Sequence, residues 1–99
     1  MGRVSRQAPT RLAEKIKIIR ESLGLSQGGM LKHLGLSEKD GLFRSSISGY
    51  ELGTRLPPYI VLLAYARSVN IYVEVLIDDE LDLPSNLPPS VKSEGVKVK

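Results

Sequence analysis

The chain has 99 residues, enough for one domain, and it contains no cysteine, which excludes a disulfide framework, a thiolate zinc site and a cysteine nucleophile. Its formal net charge of +3 is unevenly distributed, because residues 1–55 carry ten Lys or Arg and five Asp or Glu, whereas residues 56–99 carry four and six. A basic half of this kind is typical of nucleic-acid-binding proteins, although a solvated basic surface has the same composition.

The first part of the chain predicts a flexible basic arm followed by a helix. Residues 1–9 have no apolar periodicity and no acidic side chain. Thr10 is a suitable N-cap, and apolar residues then recur at helical spacing from Leu12 to Leu23. Gly24 is expected to end this first helix in a left-handed conformation.

Two shorter helices are predicted next, on either side of a loop. The second helix is expected to run from Ser26, its N-cap, to about His33. Residues 36–43 include serine, aspartate and glycine, a composition typical of a loop. A third helix is predicted from about Arg44 to Leu52, with Gly53 at its end.

Two further helices are predicted from the second half of the chain. Pro57 and Pro58 suit the start of a fourth helix, in which the unbroken apolar run Tyr59–Ala66 is expected to be buried on all sides. Asn70 is the expected N-cap of a fifth helix at roughly Tyr72–Leu76. The predicted core combines residues from these helices: Leu12, Ile16, Ile19, Ile47, Ile60, Leu63 and Leu76.

The sequence therefore predicts one all-α domain of five helices at residues 10–77, between the arm at residues 1–9 and a flexible tail at residues 78–99. The tail is acidic at its start and rich in proline, a composition that cannot bury much apolar surface. The acidic cluster Asp78–Asp82 lacks the spacing and the glycine of an EF-hand loop. We expect this cluster only to keep the surface soluble.

Three segments, taken in their order along the chain, form a recognisable pattern: Gly24–Gln27, Ser46–Gly53 and Arg55–Pro58. Together they resemble the phage-repressor (Cro/XRE-like) helix-turn-helix family, and the resemblance covers about Leu12 to Ile77. It implies a compact bundle of five helices in which the second and third form the motif. In such motifs the third helix lies in the major groove of double-stranded DNA.

The resemblance also implies which residues contact DNA. Base-reading positions fall on Arg44, Ser45, Ser48 and Gly49, and Arg44 can pair bidentately with guanine. Gln27 resembles the family's phosphate-positioning glutamine, and Thr54 and Arg55 match positions that contact the DNA backbone. The spacing of the third helix directs Ile47 and Tyr50 inward and places four small residues outward: Ser45, Ser46, Ser48 and Gly49. Arg20 and Glu51 match a family pair and imply a structural ion pair between the first and third helices.

The turn between the second and third helices departs from the family pattern. Such turns have about 3–4 residues, and the chain has about six residues more. Leu31 also occupies a position where the family prefers alanine. The larger leucine side chain would push the two motif helices apart. We expect Leu42 and Phe43 to fold back over the widened seam, although a surface excursion that leaves the helix pair unchanged is the alternative.

Neither an enzyme nor a metalloprotein is expected. His33 is the only histidine, no glycine-rich phosphate loop occurs, and no cofactor or metal site is predicted. No apolar run reaches the roughly 18 residues that a membrane span needs, so the expected location is the cytoplasm.

The expected function is sequence-specific regulation of transcription, as a repressor, by a homodimer. The apolar surplus of the fifth helix (Ile71, Tyr72, Val73, Val75, Leu76 and Ile77) is the expected dimer surface. Alternatively, Leu81, Leu83 and Leu87 fold back over it. A different class of function also fits: a protein-interaction module, such as a DNA-binding antitoxin or a coactivator, whose tail binds a protein partner.

Overall fold

The computed structural model describes residues 9–87, and within that range the chain forms five α-helices and no strand. The helices are α1 (Leu12–Ser22), α2 (Gln27–His33), α3 (Arg44–Leu52), α4 (Tyr59–Ser68) and α5 (Glu74–Ile77). This confirms the predicted all-helical class. No helix in this part of the chain has the length and apolarity needed to cross a membrane. The expected basic arm, except for Pro9, and the end of the tail lie outside the described residues.

The ends of the helices confirm some predicted caps and correct two. The Ser26 hydroxyl accepts a hydrogen bond from the Gly29 N–H, as expected of an N-cap of α2. Thr10 does not cap α1, because its hydroxyl donates to Asp79 and Arg11 occupies the N-cap position. Asn70 does not cap α5 either. It has a φ of 60°, in the left-handed region that a residue just after a helix adopts, and it follows α4.

The core lies between all five helices, and α2 contributes Met30 to it. Five of the seven predicted members are buried there: Leu12, Ile16, Ile19, Ile47 and Leu76. Ile60 was wrongly predicted, since it is 49% exposed, and Leu63 is only partly buried. The run Tyr59–Ala66 is not buried on all sides, because the helix buries one stripe that includes Val61 and Tyr65. In a small domain, an outer helix is covered by one neighbouring layer whatever its composition.

The extended turn between α2 and α3 is compact. Ser37 and Asp40 cap a single turn of 3-10 helix, Glu38–Asp40, and Gly41 follows in the left-handed conformation with a φ of 77°. Leu42 then returns to the core and is buried, which confirms half of the expectation. Phe43 does not cover the seam, because it is 51% exposed and its direction is set by the start of α3.

The acidic segment that the sequence assigned to the tail packs against the start of α1. The Asp79 carboxylate accepts hydrogen bonds from the N–H and hydroxyl of Thr10, both at 2.9 Å, and from the N–H of Arg11 at 3.0 Å. These backbone donors lower the pKa of Asp79 below its usual value. Asp79 therefore fixes the two residues that lead into α1, where the sequence predicted a cap from Thr10.

Two cations of α1 complete this contact. The Arg11 guanidinium donates to the carbonyl of Asp79 at 2.7 Å and to the carboxylate of Asp82 at 2.6 Å. Lys15 is only 2% exposed, and its ammonium donates to three carbonyl oxygens, those of Val75, Asp78 and Leu81, at 2.7–3.0 Å. We call these four side chains the terminal clasp: Arg11, Lys15, Asp79 and Asp82. The acidic cluster thus has a structural role beyond the expected one.

Candidate nucleic-acid interface

An ion pair fixes α3 to α1. Arg20 Nε donates to Glu51 Oε2 at 2.7 Å, and Arg20 Nη2 donates to Glu51 Oε1 at 3.0 Å. Both side chains are largely buried, at 15% and 4% exposure. The bidentate hydrogen bond that Arg20 donates to the Glu51 carboxylate raises the pKa of Arg20. This is the structural ion pair implied by the family resemblance, and it fixes the orientation of α3.

Gln27, the predicted phosphate-positioning residue, belongs to the same network. Its side-chain amide donates to Glu51 Oε1 at 3.2 Å from the first position of α2. The Arg20 guanidinium also donates to the carbonyl of Leu25 at 2.9 Å, just before α2. A single carboxylate therefore joins α1, α2 and α3, and the amide nitrogen of Gln27 points into this junction.

Arg44 and Ser45 are exposed at the first turn of α3, where base contacts were predicted. Ser48, the next predicted reader, is half-buried. A Cβ atom built on Gly28 of α2 would lie 3.7 Å from Arg44 Cδ, so the stem of Arg44 passes over α2 at ordinary contact distance. Arg44 therefore lies at the junction of the two motif helices, and a methyl group at position 28 would fit beside it.

Ser46 was wrongly expected on the outer face of α3. It is 2% exposed, and its hydroxyl accepts a hydrogen bond from the Phe43 N–H at 3.1 Å. Serine competes well for backbone N–H groups at the start of a helix, and the extended turn leaves this N–H without a partner of its own in α3. The side chain therefore completes the turn.

Gly49 is also buried, contrary to the expectation that it lies open on the outer face. The Arg55 side chain covers it: a Cβ atom on Gly49 would lie 2.6 Å from Arg55 Cδ and 3.0 Å from Cγ. The Gly49 carbonyl accepts from Thr54 Oγ1 at 3.3 Å, while Thr54 and Arg55 remain exposed overall. The predicted contact residues after α3 therefore lie against α3 itself.

The cations in the basic half of the chain fall into two groups, those used within the fold and those that remain available to a partner. Of the eight Lys and Arg side chains in residues 9–55, three are hydrogen-bonded to carboxylates or carbonyls within the fold, those of Arg11, Lys15 and Arg20. Arg44 and Arg55 are the exposed cations at and beside α3. The sequence could not separate these two groups, because lysine and arginine occur in both.

The described residues contain no group of three or more His, Cys, Asp or Glu that could hold a metal ion. His33 is exposed at the end of α2. Comparison of the chain with protein-family models, with curated proteins and with solved structures finds no match. Any functional conclusion therefore depends on the residues of this chain.

Proposed function

We propose that this protein binds double-stranded DNA sequence-specifically through α3 and represses transcription. The observation that carries the proposal is the outer surface of α3, where Arg44, Ser45 and Arg55 are exposed while Glu51, near the other end of the helix, anchors α3 to α1. Small polar side chains allow a helix to approach base edges closely, and arginine recognises guanine through two hydrogen bonds.

The anchoring of α3 supports the proposal because base reading requires a fixed orientation. Arg20 and Gln27 hold Glu51 from two other helices, so α3 is positioned without the use of any residue of its outer surface. Arg44 sits at the first position of α3, where the positive end of the helix dipole disfavours a cation. An anionic partner would relieve this repulsion.

We also propose that the working unit is a homodimer, since one domain of this kind reads only half a site. The fifth helix offers less surface than expected, because Ile71 and Leu76 are buried and Val73 and Val75 are partly buried. Leu83 and Leu87 of the tail pack against the core, whereas Leu81 is exposed.

Four exposed apolar side chains lie between the end of α3 and the start of α4. We call this set the α3–α4 patch, and it consists of Leu52, Leu56, Tyr59 and Ile60. Tyr59 is 80% exposed, and one aromatic side chain can bury about 150–250 Å² at an interface. A specific interface needs about 800 Å² on each partner, so the patch supplies an apolar centre for the pairing of two copies.

The test is selection of duplexes from a random pool by the full chain, followed by binding measurements on the enriched sequence. We expect a two-fold symmetric site whose half-sites are about 34–36 Å apart, with affinity that falls steeply as salt rises. Arg44→Ala should lose roughly 1–3 kcal/mol of discrimination at one base position. Lys17→Ala, which removes an exposed cation of α1, is the matched control and should leave discrimination unchanged.

Two outcomes would contradict the proposal. Failure to enrich any sequence over a scrambled duplex would exclude sequence-specific binding. Binding to the enriched site as a monomer, with no effect of Tyr59→Glu on affinity for the two-fold site, would exclude pairing through the α3–α4 patch.

The alternative of a protein-interaction module has less support within the described residues. The start of the tail is hydrogen-bonded to α1 through Asp79 and Asp82. A tail that grips a partner would have to use other residues or give up these bonds.

A further inference from the structure

The side chain of Arg55 lies along the outer surface of α3, although Arg55 itself is in the loop that follows. It crosses α3 at Gly49, where an added Cβ atom would lie 2.6 Å from Arg55 Cδ, 3.0 Å from Cγ and 3.4 Å from Cβ. Real Cβ atoms essentially never approach another carbon to 2.6 Å. Arg55 can therefore take this path only because position 49 is glycine.

The backbone fixes the starting point of this path. Gly53 ends α3 with a φ of 80°, in the left-handed region that glycine adopts without strain. The N–H groups of Thr54 and Arg55 then donate to the carbonyl of Gly49 at 3.0 and 3.2 Å. Arg55 is thus tied by its own backbone to the residue that its side chain covers.

The far end of the side chain has a defined direction too. Arg55 Nη1 lies 3.4 Å from the hydroxyl of Ser46, about one helical turn toward the start of α3. This places the guanidinium at the first turn of α3, the turn that also carries Arg44 and Ser45, the exposed residues for which we propose base contacts. Arg55 fills the surface that Gly49 leaves empty.

We infer that Arg55 reads a base pair, and that Gly49 acts as a positioning residue by giving Arg55 its path across α3. This inference rests on the proposed DNA binding through α3. It replaces the expectation that Arg55 contacts only the DNA backbone. A phosphate contact needs a positive charge near the DNA, whereas base reading needs an oriented guanidinium that can offer two parallel hydrogen bonds.

The experiment compares variants of the full chain on the selected duplex, on all its single-base-pair changes and on a scrambled duplex. Arg55→Lys keeps the charge but not the planar fork, so discrimination at one base pair should fall by about tenfold or more while scrambled DNA is bound nearly as before. Gly49→Ala should lose discrimination at the same base pair, because its methyl group displaces Arg55. In the Arg55→Ala background, Gly49→Ala should have no further effect on discrimination.

The matched control is Gly28→Ala in α2, which adds the same methyl group beside Arg44 at the ordinary distance of 3.7 Å. It should leave discrimination unchanged. A stability measurement tests whether the variants fold. Gly49→Ala should raise the midpoint of urea unfolding more in the Arg55→Ala background than in the chain that retains Arg55. The reason is that alanine favours a helix where the space is empty.

The results separate the inference from the proposed function. Failure of the unaltered chain to enrich any duplex would overturn both. Enrichment with full discrimination retained in Arg55→Lys, or in folded Gly49→Ala, would overturn the inference alone. Equal weakening of all duplexes by Arg55→Ala would show a phosphate contact and would also overturn it.

Discussion

The terminal clasp and the outer surface of α3 both depend on charged side chains, but they use charge in opposite ways. In the clasp, the Asp79 carboxylate meets the N-terminal N–H groups of α1, and the Lys15 ammonium meets carbonyls at the end of α5. Both charges oppose the partial charge of the helix end that they touch. On α3, the cation of Arg44 stands at an N-terminus, where the partial charge is also positive.

This difference separates charges that stabilise the fold from charges that do not. A charge at a complementary helix end satisfies backbone groups that the helix leaves without partners. A cation at the wrong end gains nothing from the helix dipole, and for Arg44 we propose an anionic partner instead. Stability measurements can therefore test which charges are structural, independently of any DNA-binding assay.

The largest effect is expected from Lys15→Ala. The substitution removes three part-buried, charge-assisted hydrogen bonds to carbonyl groups, and the free energy of unfolding should fall by about 3 kcal/mol. Urea denaturation would measure this loss. Lys17→Ala, an exposed lysine on the same helix, should change stability by no more than about 0.5 kcal/mol. Equal effects of the two variants would mean that the clasp does not stabilise the fold.

An intermediate effect that depends on pH is expected from Asp79→Asn. The N–H groups of Thr10 and Arg11 lower the pKa of Asp79 in the folded chain. Its stabilising contribution is therefore present above the unfolded-state pKa of about 3.9, and it is lost as the pH falls through the lower folded pKa.

In urea titrations at pH 7, Asp79→Asn should have a lower midpoint than the unaltered chain. The two midpoints should converge as the pH falls below about 3.9. Glu80→Gln, an exposed neighbour in the same segment, should follow the unaltered chain throughout. A constant difference between Asp79→Asn and the unaltered chain at every pH would show that the carboxylate charge is irrelevant.

The smallest effect, and the only gain, is expected from Arg44→Ala. Removal of a cation from the N-terminus of α3 should raise the free energy of unfolding by about 0.5 kcal/mol. Arg67→Ala removes a cation from the last turn of α4, where it suits the helix dipole, and should have the opposite sign. Denaturation at low ionic strength would resolve the two. A loss of stability in Arg44→Ala would place Arg44 among the structural charges.

Local signals in the sequence predicted much of the fold. Apolar spacing and glycine positions gave the bounds of α3 and the end of α2, and Ser26 was correctly predicted as a cap. Contacts between residues far apart in the chain were harder to predict from the sequence. Thr10, predicted to cap α1, is instead bonded to Asp79, which lies 69 positions further along the chain.

The surface of α3 also shows that local signals in the sequence do not predict contacts with other segments. Helical spacing correctly placed Ile47 and Tyr50 inside, and the resemblance implied the pair of Arg20 and Glu51 that the structure contains. Spacing alone could not show that the Arg55 side chain covers Gly49, because this contact depends on the direction of the chain after Gly53. The remaining contact residues stay predictions.

The distance between Thr10 and Asp79 along the chain has a consequence for the order of folding. The two residues are 69 positions apart, so closing the clasp must bring together segments that are synthesised at different times. At about 5–20 residues per second, Asp79 follows Thr10 out of the ribosome by roughly 3 to 14 seconds. During that interval the first helix has an uncapped start, and the buried lysine of that helix has no carbonyl to bind. The first helix to be made is therefore the last to be completed.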